Sequence, residues 1–187
     1  MPKGRRLKEP KGYFSQTNRM EKWDILTSGG EPTGETVTRS RGALKSGQYH
    51  LVVHIWITDD KGRVLIQQRS FELNILPGKW AITGGSAVAG EDAITAAVRE
   101  LYEEVGVTAR PDELELLKTY KGRNDFVYVY ILHRNVPLSE ITMQYSEVQA
   151  VKWVSIDELK KMTEQKKFHN YAYLPELYDY IGERAPK

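Results

Sequence analysis

The sequence predicts an α+β fold, a mixed β-sheet sandwiched between helices, and two observations predict it. Short β-rich runs bounded by Gly, Pro, Asn and Asp recur through the middle of the chain, and one long helical pattern, residues 92–105, falls among them. Two further helical patterns close the chain. Strands with one helix in their midst and helices after them bury a sheet from both faces, which is a layered α/β/α arrangement.

In chain order, residues 1–20 hold Lys3, Arg5, Arg6, Lys8, Lys11 and Arg19 against a single acid, Glu9, so most of the basic excess is a tail. No apolar run follows it, as a secretory leader would require. It is expected to be a flexible extension, with an RNA-binding or membrane-surface arm as the alternative. Residues 21–187 are read as one domain, long enough to bury a core. Within it, 23–26 and 35–39, joined by the Gly- and Pro-rich run 29–34, form a hairpin. A long β-rich run covers 49–58, a turn 59–62, and a partner strand 63–69. Pro77 and Gly78 break the chain before one brief strand, 80–83. Downstream, 114–120, 126–133 and 147–154 read as strands. Ser155 is placed to cap a helix over 156–162, and a terminal helix over 174–181 starts near Pro175.

Charge and composition exclude more than they name. A net charge of +2 points to no partner, and nucleic acid is not expected as one. With no cysteine, there is no disulfide framework, no Cys-ligated zinc and no thiol nucleophile, which agrees with a cytoplasmic home. No apolar run approaches the ~18 residues of a membrane span.

The chemistry is concentrated in residues 85–107. Gly85, Glu91, Arg99, Glu100, Glu103, Glu104 and Gly106 stand in the pattern G-x5-E-x7-R-E-U-x-E-E-x-G-U, with Leu101 and Val107 at the apolar U positions. Such a match arises by accident in roughly one chain in a million. On a helix over 92–105, Ile94, Ala97, Val98, Leu101 and Val105 share one arc and form the buried stripe. Glu100, Glu103 and Glu104 share a face bordering it and line a cleft edge. Ala93 and Ala96 point to the same side, as small residues that let a diphosphate approach.

Three acids in the last turns of a helix repel one another and face the negative end of the macrodipole. A divalent cation removes that conflict, and hard oxygen ligands suit Mg²⁺ or Mn²⁺. A solvated acidic face, the alternative, leaves the coincident Arg99, Gly85, Glu91 and Gly106 unexplained. Arg99 precedes Glu103 by four residues, the weaker order for helix stabilisation, so its expected task is to hold a carboxylate in its liganding rotamer. Gly84 and Gly85 give backbone freedom to the strand-to-helix loop.

This motif resembles the Nudix box. The resemblance implies a mixed sheet between helices with the box as loop-helix-loop, and a hydrolase acting on phosphorus-containing anhydrides. Its substrate would be a nucleoside diphosphate linked to another moiety, and its cofactor Mg²⁺, with Mn²⁺ as a substitute. Glu100, Glu103 and Glu104 would be metal ligands, with Gly85 at the metal and the substrate. One of these glutamates or Glu147 would accept a proton from water. Glu147, opening the 147–154 run, matches a downstream loop glutamate that in many Nudix proteins is a further ligand or the general base. Arg69 is a candidate phosphate or base contact, or a surface arginine. His50 and His54, four apart on one strand, are either metal ligands or packed residues. Partners are a small-molecule nucleotide or diphosphate and, admissibly, a second copy of the chain.

Flanking residues 23–26, 32–34 and 68–70 are similar to the Nudix proteins that look like isopentenyl diphosphate isomerase. In that isomerase a cysteine precedes the first box glycine and a histidine follows it. Gly84 and Ser86 occupy those places here, so isomerisation is disfavoured. A non-catalytic binding module, the other alternative, commonly loses the box glutamates that this chain keeps.

Overall fold

The computed structural model describes residues 21–184. The basic tail expected over 1–20 lies outside the described residues. The expected hairpin is present: β1 (Lys22–Leu26) and β2 (Pro32–Thr38) pair antiparallel as a two-stranded sheet. The main sheet has seven strands, β3 (His50–Thr58), β4 (Val64–Arg69), β5 (Trp80–Ala81), β6 (Thr83–Ser86), β7 (Leu114–Lys121), β8 (Asp125–His133) and β9 (Val148–Val154). It is mixed, because β3 runs parallel to β8 through nine register pairs while its other partners are antiparallel.

Period-2 alternation splits the core into two layers. Val53, Ile55 and Ile57 face α1 (Ala93–Val105), packing with Leu101 and Val105. Trp56, in register between them, faces the other way with Val64, Ile66, Phe168 and Leu177, under α2 (Ile156–Glu164) and α3 (Leu174–Arg184). Truncating fully buried Leu101 to alanine would cost about 2–5 kcal/mol. Asp92 caps α1 rather than joining it, its Oδ1 accepting from Thr95 N at 2.8 Å, and Gly106 ends it at φ 70°. Ser155 caps α2 as expected.

Two expectations are corrected. The single strand 80–83 is two strands with different neighbours, β5 on β4 and β6 on β3. Ile82, between them, belongs to neither ladder, and side chains satisfy its backbone: its carbonyl accepts from Gln67 Nε2 at 3.3 Å and its N–H points to the Tyr171 hydroxyl at 3.4 Å. Because β3 pairs with β4 only at its end, Ile57–Thr58, and with β6 along Val52–Ile55, the sheet opens into a fork between β4–β5 and β6. The second correction concerns α1. Ala96 is fully buried and Ala93 nearly so, whereas Ile94 and Val98 are only partly covered. The helix is turned so that its alanines let it approach β3 and β6, and they are core residues rather than a phosphate path. Among the described residues no helix is long and apolar enough to cross a membrane.

Candidate active site

Turning α1 towards Ala96 carries Glu100 and Glu104 inward with it. Both lie against the fork, at 7% and 2% exposure, while Glu103 stays partly open. Glu104 closes the gap between the two ladders. Its Oε2 accepts from Gln67 Nε2 of β4 at 2.8 Å and from Gly84 N of β6 at 2.9 Å, and Gln67 in turn accepts from Thr83 Oγ1. Glu100 lies against the backbone of Gly85, where a β-carbon would come within 2.3 Å of Glu100 Oε1. Only glycine allows that approach. Gly84 is equally constrained, since a β-carbon there would meet Val53 O at 2.3 Å.

Arg99 organises the acids. Its guanidinium grips Glu91 with two bonds, Nε at 2.8 Å and Nη2 at 2.9 Å. Nη1 donates to Glu100 at 2.9 Å and Glu103 at 2.8 Å, and Nη2 donates to Ser86 O at 3.1 Å. The contact with Glu103 is present, and Arg99 ties the box loop, the helix start and two of the three clustered acids together as well. Glu91 also accepts from Val88 N at 3.0 Å, fixing the loop.

One arginine does not neutralise this many carboxylates. Burial pushes Glu100 up to about 7 against the pull of Arg99, with the Glu147 and Glu103 charges adding to burial. Burial, and then the charge of Glu100, drives Glu104 well above the usual carboxylate range, although Gly84 and Gln67 favour its ionised form. Glu147, half-buried, belongs to this group through the charge it exerts on both. Among the described residues no three acidic or histidine side chains already converge on one point as ligands would. Arg99 holds one oxygen each of Glu100 and Glu103, leaving their other oxygens. The donor set nevertheless fits a hard divalent cation: buried oxygens, held by the backbone of a glycine loop, with charge in excess.

The remaining candidates separate. Arg69 ends β4 beside the fork, its Nε donating to Ile75 O at 3.0 Å. His50 and His54 share the α2/α3 face but do not act together. His50 stacks on Trp23 at 4.0 Å, and burial, with Arg39, lowers it to about 4. His54 Nδ1 lies 2.8 Å from the Tyr173 hydroxyl, and burial, with His169, lowers it to about 3. Both are packed neutral residues. Gln67 and Tyr171 escape sequence reasoning. The only signal for Gln67 is a polar residue after the apolar run Val64-Leu65-Ile66, and Tyr171 carries none. A separate cavity of about 610 Å³ opens between β1, β8 and the start of α1, lined by Leu26, Leu51, Ile94, Phe126 and Tyr128. Val88, Glu91 and Asp92 of the box loop also line it, whereas Glu100, Glu103, Glu104 and Glu147 do not.

Comparison with known proteins identifies the family and the fold. A model of the NUDIX domain matches residues 48–177. The chain is 33% identical over 161 residues to an uncharacterized Nudix hydrolase of Listeria monocytogenes, covering 86% of this chain and 95% of that one. It is 29% identical over 144 residues to an isopentenyl-diphosphate delta-isomerase of Schizosaccharomyces pombe, covering 64% and 62%. The crystal structure of DR0079 from Deinococcus radiodurans superposes with a TM-score of 0.69 at 19% identity, covering 89% of this chain and all of that one, which shows the shared fold.

Proposed function

Because the chain belongs to the NUDIX domain family, we propose that it is a Mg²⁺-dependent hydrolase cleaving a diphosphate bond in a nucleoside diphosphate linked to another moiety. The observation that carries this is the buried pair Glu100 and Glu104, packed against Gly84 and Gly85 with more negative charge than Arg99 balances. Glu100, Glu103, Glu104 and the Gly85 backbone would hold Mg²⁺ or Mn²⁺. A bound divalent cation neutralises charge on the bridging oxygens and lowers the pKa of a water. Arg99 keeps Glu100 and Glu103 in place, and Gln67 with Gly84 N does the same for Glu104. Glu147 accepts the proton of the attacking water: it is not gripped by Arg99 as Glu100 and Glu103 are, nor enclosed as Glu104 is. Arg69 contacts a substrate phosphate at the fork. Turnover of a panel of nucleoside diphosphate derivatives, with Mg²⁺ and with EDTA, tests the reading. Metal binding without turnover of any of them would favour a binding module instead.

The raised Glu100 carboxyl gives a second test that needs no substrate. A carboxyl raised in the fold binds its proton more tightly than in the unfolded chain. Its contribution is therefore complete below the unfolded value near 4.5 and is lost as pH rises through about 7. Metal-free protein should lose Tm between pH 5 and pH 8, and millimolar Mg²⁺ should restore roughly 5 °C or more at pH 8 and little at pH 5. Scanning calorimetry at the two pH values decides it, and an Mg²⁺ shift equal at both would remove Glu100 from the metal site.

Similarity to the isomerase favours a second reading, double-bond migration with the diphosphate intact. The chain has no cysteine, and Gly84 and Ser86 flank Gly85 where that chemistry needs an acid-base group and a ligand. Incubation with isopentenyl diphosphate should yield no allylic isomer, and catalytic formation of dimethylallyl diphosphate would overturn the hydrolase reading.

A further inference from the structure

Basic groups gather at the fork on the strands that face α1's acids across it. Arg69 ends β4 and Lys79 precedes β5, and they are neighbours across that ladder, Arg69 N donating to Lys79 O at 2.9 Å. His169 is fixed beside them because its segment runs along β5: Trp80 N donates to Lys167 O at 3.1 Å and His169 N to Trp80 O at 2.8 Å. The imidazole meets Tyr171 edge-on at 4.5 Å, and the Tyr171 hydroxyl reaches Ile82 N, inside the fork. Burial pushes the Tyr171 hydroxyl above the usual phenol range, and the nearby charges of Glu104 and Arg69 act on it in opposite directions. Burial, and then the charges of Lys79 and Arg69, hold the His169 imidazole below its usual range. Among the described residues, Arg69, Lys79 and His169 have no carboxylate within ion-pair distance, although most other arginines of the fold do. The hydrogen bonds of Arg69 Nε and Lys79 Nζ go to the carbonyls of Ile75 and Lys166, which leave the positive charges uncompensated.

We propose that Arg69, Lys79 and His169 form a phosphate-binding notch for the outer phosphoryl group of the substrate, so that the moiety linked to the nucleoside diphosphate is itself a free phosphate rather than a second ester. A terminal phosphate carries close to two charges near pH 7 and an internal diester phosphate one, so two fixed cations and an imidazole favour the former. The substrate assignment rests on the hydrolase reading above, whereas the notch is testable without it.

In EDTA, where no divalent cation can link phosphate to the glutamates, inorganic phosphate is titrated into ¹⁵N-labelled full-length protein, with dimethyl phosphate as the monoanionic diester. The expected result is that the His169 imidazole and Lys79 signals shift with phosphate and that dimethyl phosphate binds about tenfold more weakly. Lys79→Gln and His169→Gln should each weaken phosphate about tenfold while Mn²⁺ affinity, read by electron paramagnetic resonance, stays within about twofold. Phosphate binding that survives both substitutions, or that dimethyl phosphate matches, would overturn the notch. Hydrolysis confined to disubstituted diphosphates would overturn its substrate assignment. Failure of the hydrolase reading would look different, as phosphate binding with no turnover of any diphosphate.

Discussion

Glu104→Gln should lower kcat by at least about a hundredfold on any diphosphate the protein hydrolyses, with its melting temperature unchanged or raised at pH 8. The amide has the same shape, and its oxygen can still accept from Gly84 N and Gln67 Nε2, so the fork stays closed. What disappears is a buried negative charge next to Glu100, one that the metal-free fold accommodates poorly. Glu103→Gln should lose activity similarly. Its side chain is more open, and Arg99 keeps Glu91 and Glu100 as partners. Steady-state kinetics and calorimetry on the same preparations check this, and a folded Glu104→Gln protein with near-normal turnover would sink the site assignment.

Arg99→Ala is expected to damage fold and site together. It strips Glu91, Glu100, Glu103 and Ser86 O of a shared donor. Removing one partner of a buried ionic cluster costs about 3–5 kcal/mol, and a protein of this size loses about 2–4 °C per kcal/mol, so Tm should fall by roughly 10 °C. Turnover should fall at least about tenfold as the carboxylates lose their set positions. Arg99→Lys should recover only part of the loss, because an ammonium cannot span acids on three sides as a planar fork does. A Tm within about 2 °C of wild type for Arg99→Ala would show that the acids are arranged without it.

The hairpin, β3, β4, β7 and β8 were legible because each is a short β-rich pattern between turn formers, and α1 because no Pro or Gly interrupts 92–105 and Gly106 follows it, although Asp92 proves to be its cap and not its first residue. The box residues could be picked out by spacing alone, since a helix turns a fixed angle per residue and so decides which of its side chains are neighbours. The strand 80–83 was misread as one because β propensity is blind to partners. Ile82 leaves one ladder for another only because β3 has room for β4 at one end and β6 at the other. The roles expected of Ala93 and Ala96 failed for a related reason: periodicity fixes the angle between residues but not the rotation of the whole helix on its sheet.

What the sequence determined by itself, then, is local: the elements, their caps, and the acidic motif with its pull towards a divalent cation. Tertiary structure decided which acids are buried, that Gln67 and Gly84 N hold Glu104 across a split sheet, and that His169 is set against Tyr171 while its segment runs along Trp80, next to the paired Arg69 and Lys79 backbones. Those residues lie up to about a hundred positions apart, and only the closing of non-local ladders, β4 on β5 and the 166–171 segment along Trp80, brings them within reach of one another.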